Sequence, residues 1–141
     1  MTAEEARRRF ADARVARLAT ADAEGRPHVV PIAFAVAGDT VYHAVDAKPK
    51  RTTRLRRLAN AAANPRVALL ADHYDDADWE ALWWVRGDGR ARVLDTAAEE
   101  AVGAVDLLVE RYAQYRDARP AGPVLAVDVA RWSGWSAVRA A

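Results

Sequence analysis

The sequence predicts a mainly β fold, a closed or half-open antiparallel barrel of six strands with helices around it. Short runs rich in β-branched and aromatic residues recur along the chain, and most are separated by tight turns. Helical patterns occur only at the start, after the third strand and before the last strand. No strand is followed by a Gly-x-Gly-x-x-Gly turn, so a doubly wound nucleotide-binding fold is disfavoured.

The first third of the chain predicts one helix and three strands. Thr2 and Glu5 form a capping-box pattern, and Phe10 follows at helical spacing, which predicts a helix over 3–13. Strands are expected over 15–20, 28–36 and 40–45, with turns at 22–27 and 38–39. Three consecutive antiparallel strands joined by short turns predict a meander.

Two further helices are expected. One begins at Thr52 or Thr53 and ends at residue 63, because Asn64 precedes a proline and such a residue avoids helical geometry. The other begins at Thr96, which forms a capping pattern with Glu99, and runs to about residue 115.

The remaining strands are expected over 66–71, 82–94 and 124–129, with a tail over 132–135. The glycines of Gly87-Asp88-Gly89 allow either a hairpin or one long strand with a bulge. The bulge is favoured because this spacing suits a bend in a barrel.

Composition limits the class of protein. The 141 residues, 52% of them hydrophobic, suit one packed domain over 1–141, and the Ala/Arg bias is of a GC-rich, actinobacterial type. The absence of cysteine excludes disulfides, thiolate metal sites and cysteine nucleophiles. The 21 basic and 20 acidic residues nearly cancel, which argues against a nucleic-acid or membrane binder. Without a signal-peptide pattern or a long apolar run, we expect a cytoplasmic protein.

The feature that most strongly indicates a binding site is the run Lys48-Pro49-Lys50-Arg51-Thr52-Thr53-Arg54-Leu55-Arg56-Arg57, with six basic residues and no acidic one. Cations at a helix N-terminus are unfavourable, so an anion is expected to offset them. Phosphate suits the free N–H groups, hydroxyls and cationic side chains of such a segment. The alternatives are a solvated basic face paired with the acidic loop over 72–80, in this subunit or a neighbouring one, and, third, nucleic acid.

Aromatic residues are the second feature. Most of the five tryptophans are expected in the core or in a dimer interface, and one or two of them could stack on a planar ligand. On a strand, Trp83 and Trp84 point to opposite faces, so at most one of them lines a given pocket.

No catalytic residue or metal site is assigned. The three histidines are scattered without metal-ligand spacing, and the two serines have no histidine pattern beside them. Tyr42 or His43 could donate a proton. A bound redox cofactor would itself need no nucleophile from the chain.

Five segments carry a resemblance to a known family: 16–20, 25–32, 48–52, 64–67 and 83–86, which read ARLAT, GRPHVVPI, KPKRT, NPRV and WWVR. They resemble the pyridoxamine 5′-phosphate oxidase-like (PPOX-class) proteins, specifically the branch that uses the deazaflavin coenzyme F-420. The resemblance implies a split β-barrel of the FMN-binding type. It also implies a homodimer with two cofactor sites at the interface.

The resemblance further implies roles for individual residues. Those expected to border the coenzyme ring are Val30, Pro31, Ile32, Ala33, Phe34, Val45, Asp46 and Ala47. Those expected to hold its phosphate are Lys48, Lys50, Arg51 and Thr52, with Arg54 reaching the phosphate or the acidic tail of the coenzyme. Those expected to shape the substrate side are Trp83, Trp84, Trp132 and Trp135.

The function that follows is an oxidoreductase that binds F-420 and transfers hydride to a small conjugated or planar organic substrate. In such enzymes hydride reaches or leaves the deazaflavin ring directly, so protein groups orient and screen. The alternatives are an FMN-binding oxidase or reductase of the same fold, and a non-catalytic carrier of the coenzyme or of haem. The expected partners are a second copy of the chain and a small-molecule substrate, with neither nucleic acid nor membrane.

Overall fold

The chain forms one seven-stranded antiparallel sheet with helices around it. The structure is a computed structural model that describes residues 1–45 and 52–138. In the second range, side chains are described from residue 56 onward. The helices are α1 (Ala3–Asp12), α2 (Thr52–Ala63), α3 (Glu99–Arg111) and α4 (Ala113–Asp117), with a short 3-10 helix at Trp79–Ala81. The strands are β1 (Ala16–Ala21), β2 (Pro27–Ile32), β3 (Ala35–Ala37), β4 (Thr40–Ala44), β5 (Arg66–His73), β6 (Trp83–Leu94) and β7 (Val124–Ser136). The predicted antiparallel barrel with peripheral helices is therefore confirmed, with seven strands instead of six.

Helix α1 begins as the sequence predicts. The Thr2 hydroxyl accepts a hydrogen bond from the Glu5 N–H, and the Glu5 carboxylate accepts one from the Thr2 N–H, both at 3.2 Å. This capping box satisfies two N–H groups that have no partner within the helix. Ala6 and Phe10 then point into the barrel, where both are fully buried.

The order of the strands differs from the predicted meander. It is β2-β1-β5-β6-β7-β4-β3, so β2 and β3 lie at opposite edges of the sheet. Only Ala33 and Phe34 join them, and two residues span at most about 7 Å. The sheet must therefore curl until its two edges meet, which makes it a barrel.

The single strand expected over 28–36 is wrong because the chain changes partner at Phe34. Its N–H donates to the Tyr112 hydroxyl at 3.2 Å, and the same hydroxyl lies 3.0 Å from the Phe34 carbonyl oxygen. A side chain from the end of α3 thus takes the place of a neighbouring strand. The residues before Phe34 pair with β1, and those after it pair with β4.

The predicted bulge in β6 is confirmed. Its pairing with β7 shifts register between Asp88 and Gly89, while the strand continues unbroken over twelve residues. The expected tail over 132–135 is instead the second half of β7, which pairs with the first half of β6.

The expected start of the third helix is wrong. Helix α3 begins at Glu99 with Ala98 as its N-cap, and no side chain caps it. The Asp95 carboxylate instead accepts hydrogen bonds from the Ala97 N–H and the Thr96 hydroxyl, so Thr96 belongs to a turn before the helix. The helical segment also breaks at Tyr112, between α3 and α4.

Two apolar clusters hold the fold together. The barrel interior is filled from the strands, from α1 and from Ala61 of α2, with Leu18, Leu69 and Leu125 fully buried. Helix α3 packs against the outside of β3, β4 and β7, where Leu108 is fully buried. No helix in the described ranges is long and apolar enough to cross a membrane.

Candidate functional site

The outer surface of strands β2, β1, β5 and β6 carries large apolar side chains that remain exposed. Alternation along each strand sends every second residue outward, and the register sets those residues in rows across the sheet. Val29 is 60% exposed, Leu70 38% and Trp84 36%. Trp135 on β7 is paired with Trp84 across the strands and is 48% exposed. Four large apolar side chains that are exposed together on one face indicate a binding surface.

A cavity of about 510 Å³ opens on this surface. The side chains that define it are those of Arg17, Val29, Ala68, Leu70, Trp84 and Arg86. Its lining is almost entirely apolar, with Trp84 as the aromatic residue and Arg17 and Arg86 as the charged residues. An apolar pocket with a few polar groups at its edge is typical of sites for small organic molecules.

The two arginines of this cavity have weak partners. An Arg17 guanidinium nitrogen lies 3.8 Å from an Asp72 carboxylate oxygen, and Arg86 Nε donates to Asp88 at 3.0 Å. All four side chains are about half exposed, so solvent screens both ion pairs. Among the residues that the structure describes, most N–H groups of the two arginines have no hydrogen-bond partner and can bind a ligand.

One polar atom close to the cavity lacks a partner. Ser133 lies opposite Arg86 in the pairing of β6 with β7, and its hydroxyl oxygen is buried without a hydrogen bond to any residue that the structure describes. The Arg86 guanidinium also lies over the Trp84 ring, 5.9 Å from its centroid. The Trp84 ring and the Arg86 guanidinium fit a planar conjugated ring that carries polar atoms on one edge.

Successive residues of a strand point to opposite faces of the sheet, and the four strand tryptophans are distributed over both faces accordingly. Trp84 and Trp135 face outward beside the apolar cavity. Trp83 faces inward and stacks with His73, and Trp132 packs against Phe10 inside the barrel, with its indole N–H donating to Asp39. The four therefore do not line one pocket, and Trp83 and Trp132 have structural roles in this chain.

Of the residues expected to border a coenzyme ring, Pro31 and Val30 are the more accessible. Pro31 is exposed on the outer face beside Arg17, and Val30 is half-buried. Ile32, Phe34 and Val45 are buried, and the backbone groups of Phe34 are already bonded to Tyr112. Neither the Phe34 ring nor its backbone is therefore left to contact a ligand.

The half-buried Ala33 also belongs to the internal network, because its carbonyl oxygen lies 3.0 Å from His43 Nδ1. Five expected residues lie outside the described ranges: Asp46, Ala47, Lys48, Lys50 and Arg51. Thr52 and Arg54 fall in the first turn of α2, and their side chains are not among those described.

The two candidate proton donors face away from the apolar cavity. The Tyr42 hydroxyl donates to Glu100 at 2.7 Å, and burial, with this carboxylate, raises the pKa of Tyr42 to about 12. His43 is buried between Ala33 and Arg57, and burial lowers the pKa of its imidazole to about 4. Tyr42 therefore keeps its proton, and His43 is neutral near pH 7.

Sequence reasoning missed Arg17, Leu70 and Arg86. Each lies at an outward position of a strand whose inward positions are apolar, so alternation alone could have placed them on one face. Their proximity depends on β1 pairing with β5 and β5 with β6, and these strands are far apart in the sequence.

The chain belongs to the family whose model is described as pyridoxamine 5′-phosphate oxidase, which it matches over residues 2–136. One relative is a 5a,11a-dehydrotetracycline/5a,11a-dehydrooxytetracycline reductase from Streptomyces rimosus, 34% identical over 84 residues. This alignment covers 60% of the chain but only 58% of the reductase.

Solved structures share the fold. An FAD-binding protein from Mesorhizobium loti superposes with a TM-score of 0.73 and 22% identity, over 95% of this chain and 94% of the other. The haem storage protein HutZ from Vibrio cholerae superposes with a TM-score of 0.71 and 18% identity, over 96% and 95%. At these identities the similarity concerns the split-barrel fold alone.

Proposed function

We propose that this protein is an oxidoreductase that binds the deazaflavin coenzyme F-420 and transfers hydride to a small conjugated or planar organic substrate. The observation that carries the proposal is the apolar cavity on the outer sheet face, whose lining includes Trp84, Arg17 and Arg86. Family membership and the reductase relative support redox chemistry. The run over 48–57 adds the expected phosphate site.

The bound deazaflavin would supply the hydride, and the residues of the chain would bind, orient and exclude water. Leu70, Val29 and Trp84 present apolar area against which a ring or a substrate loses its hydration. Arg17 and Arg86 offer charged N–H donors that fix the polar edge of the molecule in one orientation. Neither Tyr42 nor His43 faces this cavity, so we assign no proton donor to the chain.

We also propose that the protein is a homodimer joined through this outer face. A monomer would leave Val29, Leu70, Trp84 and Trp135 in water, at a cost of about 25 cal/mol for each Å² of apolar area. A second copy packed on the same surface would remove this area from water and would narrow the mouth of the cavity. Such a pairing follows the usual symmetric mode, in which each copy presents the same patch.

A second candidate function is kept because the same cavity suits other planar cofactors. FMN or FAD offers a similar tricyclic ring and a phosphate group, and the superposed Mesorhizobium loti protein is described as FAD-binding. Haem offers a planar ring whose carboxylates the two arginines could bind, and HutZ is described as a haem storage protein.

The test is a tryptophan fluorescence titration of the purified protein with F-420, FMN, FAD and haem. We expect saturable quenching by F-420 at micromolar concentration, with weaker effects from the other three. Trp84→Phe should remove most of the quenching, whereas Trp79→Phe, in the exposed 3-10 helix before β6, should leave it intact. If the protein binds a flavin or haem more tightly than F-420, the proposed cofactor is wrong. If Trp84→Phe does not affect the quenching, the coenzyme ring does not bind in this cavity.

Substrate turnover distinguishes an enzyme from a carrier. The reduced coenzyme is mixed with unsaturated planar compounds, including dehydrotetracyclines, and its reoxidation is followed by absorbance. We expect reoxidation that depends on both protein and substrate. Tight coenzyme binding without turnover of any compound would favour a carrier.

A further inference from the structure

We propose that the substrate taken by the apolar cavity on the outer sheet face is an organic anion, with an ionised oxygen group at the edge of a flat apolar body. This inference rests on the proposed function, whose substrate class it specifies. The groups that select the anion are Arg17 and Arg86, which both line the cavity. The excess of positive charge on the surrounding face supports the same choice.

Arg17 and Arg86 lie on either side of Leu70 in one row across the sheet. Leu70 is opposite Arg17 of β1 and opposite Arg86 of β6 in the register of the three strands. Neighbouring strands lie about 4.8 Å apart, so the Cα atoms of the two arginines are roughly 10 Å apart with an apolar side chain between them. Two long guanidinium side chains at this separation can reach one charged group from two sides.

The outer face around the cavity carries more positive than negative charge. The charged residues at the outward positions of β1, of β5 and of the part of β6 that pairs with β5 are Arg17, Arg66, Arg86, Arg90, Asp72 and Asp88. The two aspartates are the partners in the weak ion pairs of the cavity arginines. Four arginines against two aspartates leave two positive charges without a counterpart on this face.

Two of these arginines lie directly opposite each other. Arg66 on β5 pairs with Arg90 on β6, and both are exposed. Neither makes an ion pair with any residue between positions 1 and 45 or between 56 and 138. Like charges at directly opposed positions destabilise a sheet. The arrangement of this face therefore favours an anionic ligand over a neutral or cationic one.

The free-energy cost of covering the cavity distinguishes a charged ligand from a neutral one. A flat molecule that fills the cavity displaces water from Leu70 and Trp84 and also from the two guanidinium groups. Removing the apolar area from water is favourable, whereas desolvating a cation without a partner is costly. A neutral ligand leaves this cost without compensation, but an ionised oxygen group offsets it with charged hydrogen bonds. We therefore expect the cavity to select the anion.

The experiment compares two flat probes of the same shape. Naphthalene-2-carboxylate and naphthalene-2-carboxamide are titrated separately into the purified protein at pH 7.5, without coenzyme, and their affinities are measured by calorimetry. We expect the carboxylate to bind about tenfold more tightly or better, because it forms at least one charged hydrogen bond that the amide cannot form. Equal affinities, or no binding of the carboxylate at millimolar concentration, would overturn the proposal.

Variants test whether the two arginines cause the preference. Arg17→Gln and Arg86→Gln should each weaken carboxylate binding by about tenfold and leave carboxamide binding nearly unchanged. Both side chains are about half exposed, so the variants should fold, and their unfolding midpoints check this.

Arg66→Gln is the matched control, because Arg66 lies on the same face but outside the lining of the cavity. It is four residues from Leu70 along β5, about 13 Å, and salt at 0.15 M screens charges beyond about 8 Å. Its effect on carboxylate binding should therefore be small. An equal loss in Arg66→Gln, or a preference that persists in the Arg17→Gln, Arg86→Gln double variant, would show that the cavity arginines do not select the anion.

Turnover separates this inference from the proposed function. Cinnamate and cinnamamide contain the same conjugated C=C bond with and without a charge, and their reaction with the reduced coenzyme is followed by absorbance. We expect a KM for cinnamate about tenfold below that for cinnamamide. If both are reduced with equal KM, selection of an anion is wrong and the proposed function stands. If neither is reduced, the proposed function loses support, and the binding experiment alone decides whether the cavity selects an anion.

Discussion

The imidazole Nε2 of His43 lies 2.7 Å from Nη1 of Arg57, and this contact joins strand β4 to helix α2. An arginine can only donate, so Nε2 is the acceptor and Nδ1 carries the proton that is donated to the Ala33 carbonyl. One neutral imidazole thus links β4, α2 and the two-residue connection between the sheet edges. The arrangement requires that His43 stay unprotonated.

We predict that stability falls as the pH falls from about 6.5 towards 4. The pKa of His43 is lowered from 6.5 to about 4, chiefly by burial, so the unfolded chain takes up this proton first. The contribution of His43 to the free energy of unfolding is complete above pH 6.5. It is lost progressively down to pH 4, by roughly 3 kcal/mol in total. Urea unfolding at pH 7.0, 6.0 and 5.0 measures the slope.

The variant His43→Gln replaces the imidazole with an amide, which can also donate and accept hydrogen bonds but does not titrate. It should be less stable at pH 7 and should show a much flatter pH dependence between 7 and 5. His73→Gln, at an exposed site, should keep the slope of the parent protein. If the slope persists in His43→Gln, another group causes it.

Arg92 is predicted to anchor helix α3 to the barrel. Its guanidinium donates to both oxygens of Glu100 at 2.9 Å and from Nε to Asp128 at 2.6 Å. Arg92→Met would leave two carboxylates facing each other at a half-exposed site. We expect a loss of about 1–2 kcal/mol in the free energy of unfolding, measured with urea. Arg90→Met, on the same strand and exposed, is the control, and equal losses in the two variants would contradict the anchor.

Two glycines should respond to alanine with opposite signs. A Cβ at Gly89 would lie 2.2 Å from the Asp128 carbonyl oxygen of the neighbouring strand, so Gly89→Ala should destabilise by about 1–3 kcal/mol. At Gly103, on the exposed side of α3, nothing lies within 4 Å of that position. Gly103→Ala should stabilise by about 0.5–1 kcal/mol. Thermal unfolding of both variants checks this, and a tolerated Gly89→Ala would mean that the bulge can shift.

The basic run is predicted to hold the coenzyme phosphate. The double variant Lys50→Ala, Arg51→Ala should weaken F-420 binding by roughly 1.5–3 kcal/mol, because at least one charged hydrogen bond is lost. Fluorescence titration measures the affinity, and the unfolding midpoint should stay unchanged. Arg8→Ala serves as the control for general loss of positive charge. Unaltered affinity in a folded double variant would remove the phosphate assignment.

Dimerisation through the outer sheet face is predicted to depend on Leu70. Leu70→Lys should shift the protein to a monomer in sedimentation velocity at micromolar concentration, because the interface would bury an unpaired cation between Arg17 and Arg86. Leu107→Lys on α3 is a matched control, since Leu107 is 36% exposed and Leu70 38%. A monomeric parent protein, or a dimer that withstands Leu70→Lys, would refute this interface.

Local patterns determined most of the elements. The capping box of Thr2 and Glu5, the proline after Asn64 and the glycines of β6 act through neighbours in the sequence, and each predicted its helix end or bulge correctly. The family resemblance also followed from short segments. Among the predicted helix starts the exception was Thr96, because its hydroxyl bonds to Asp95 in the turn before α3 and no side chain caps that helix.

The tertiary structure decided which surfaces come together. Phe34 divides one predicted strand into two because the Tyr112 hydroxyl, 78 positions later, bonds to its backbone. Arg17, Leu70 and Arg86 become neighbours because three separate strands pair in a particular register. The sequence shows that each strand has an apolar side and which residues alternate on it. Pairing between distant strands depends on contacts that no local pattern contains, and those contacts made the apolar cavity.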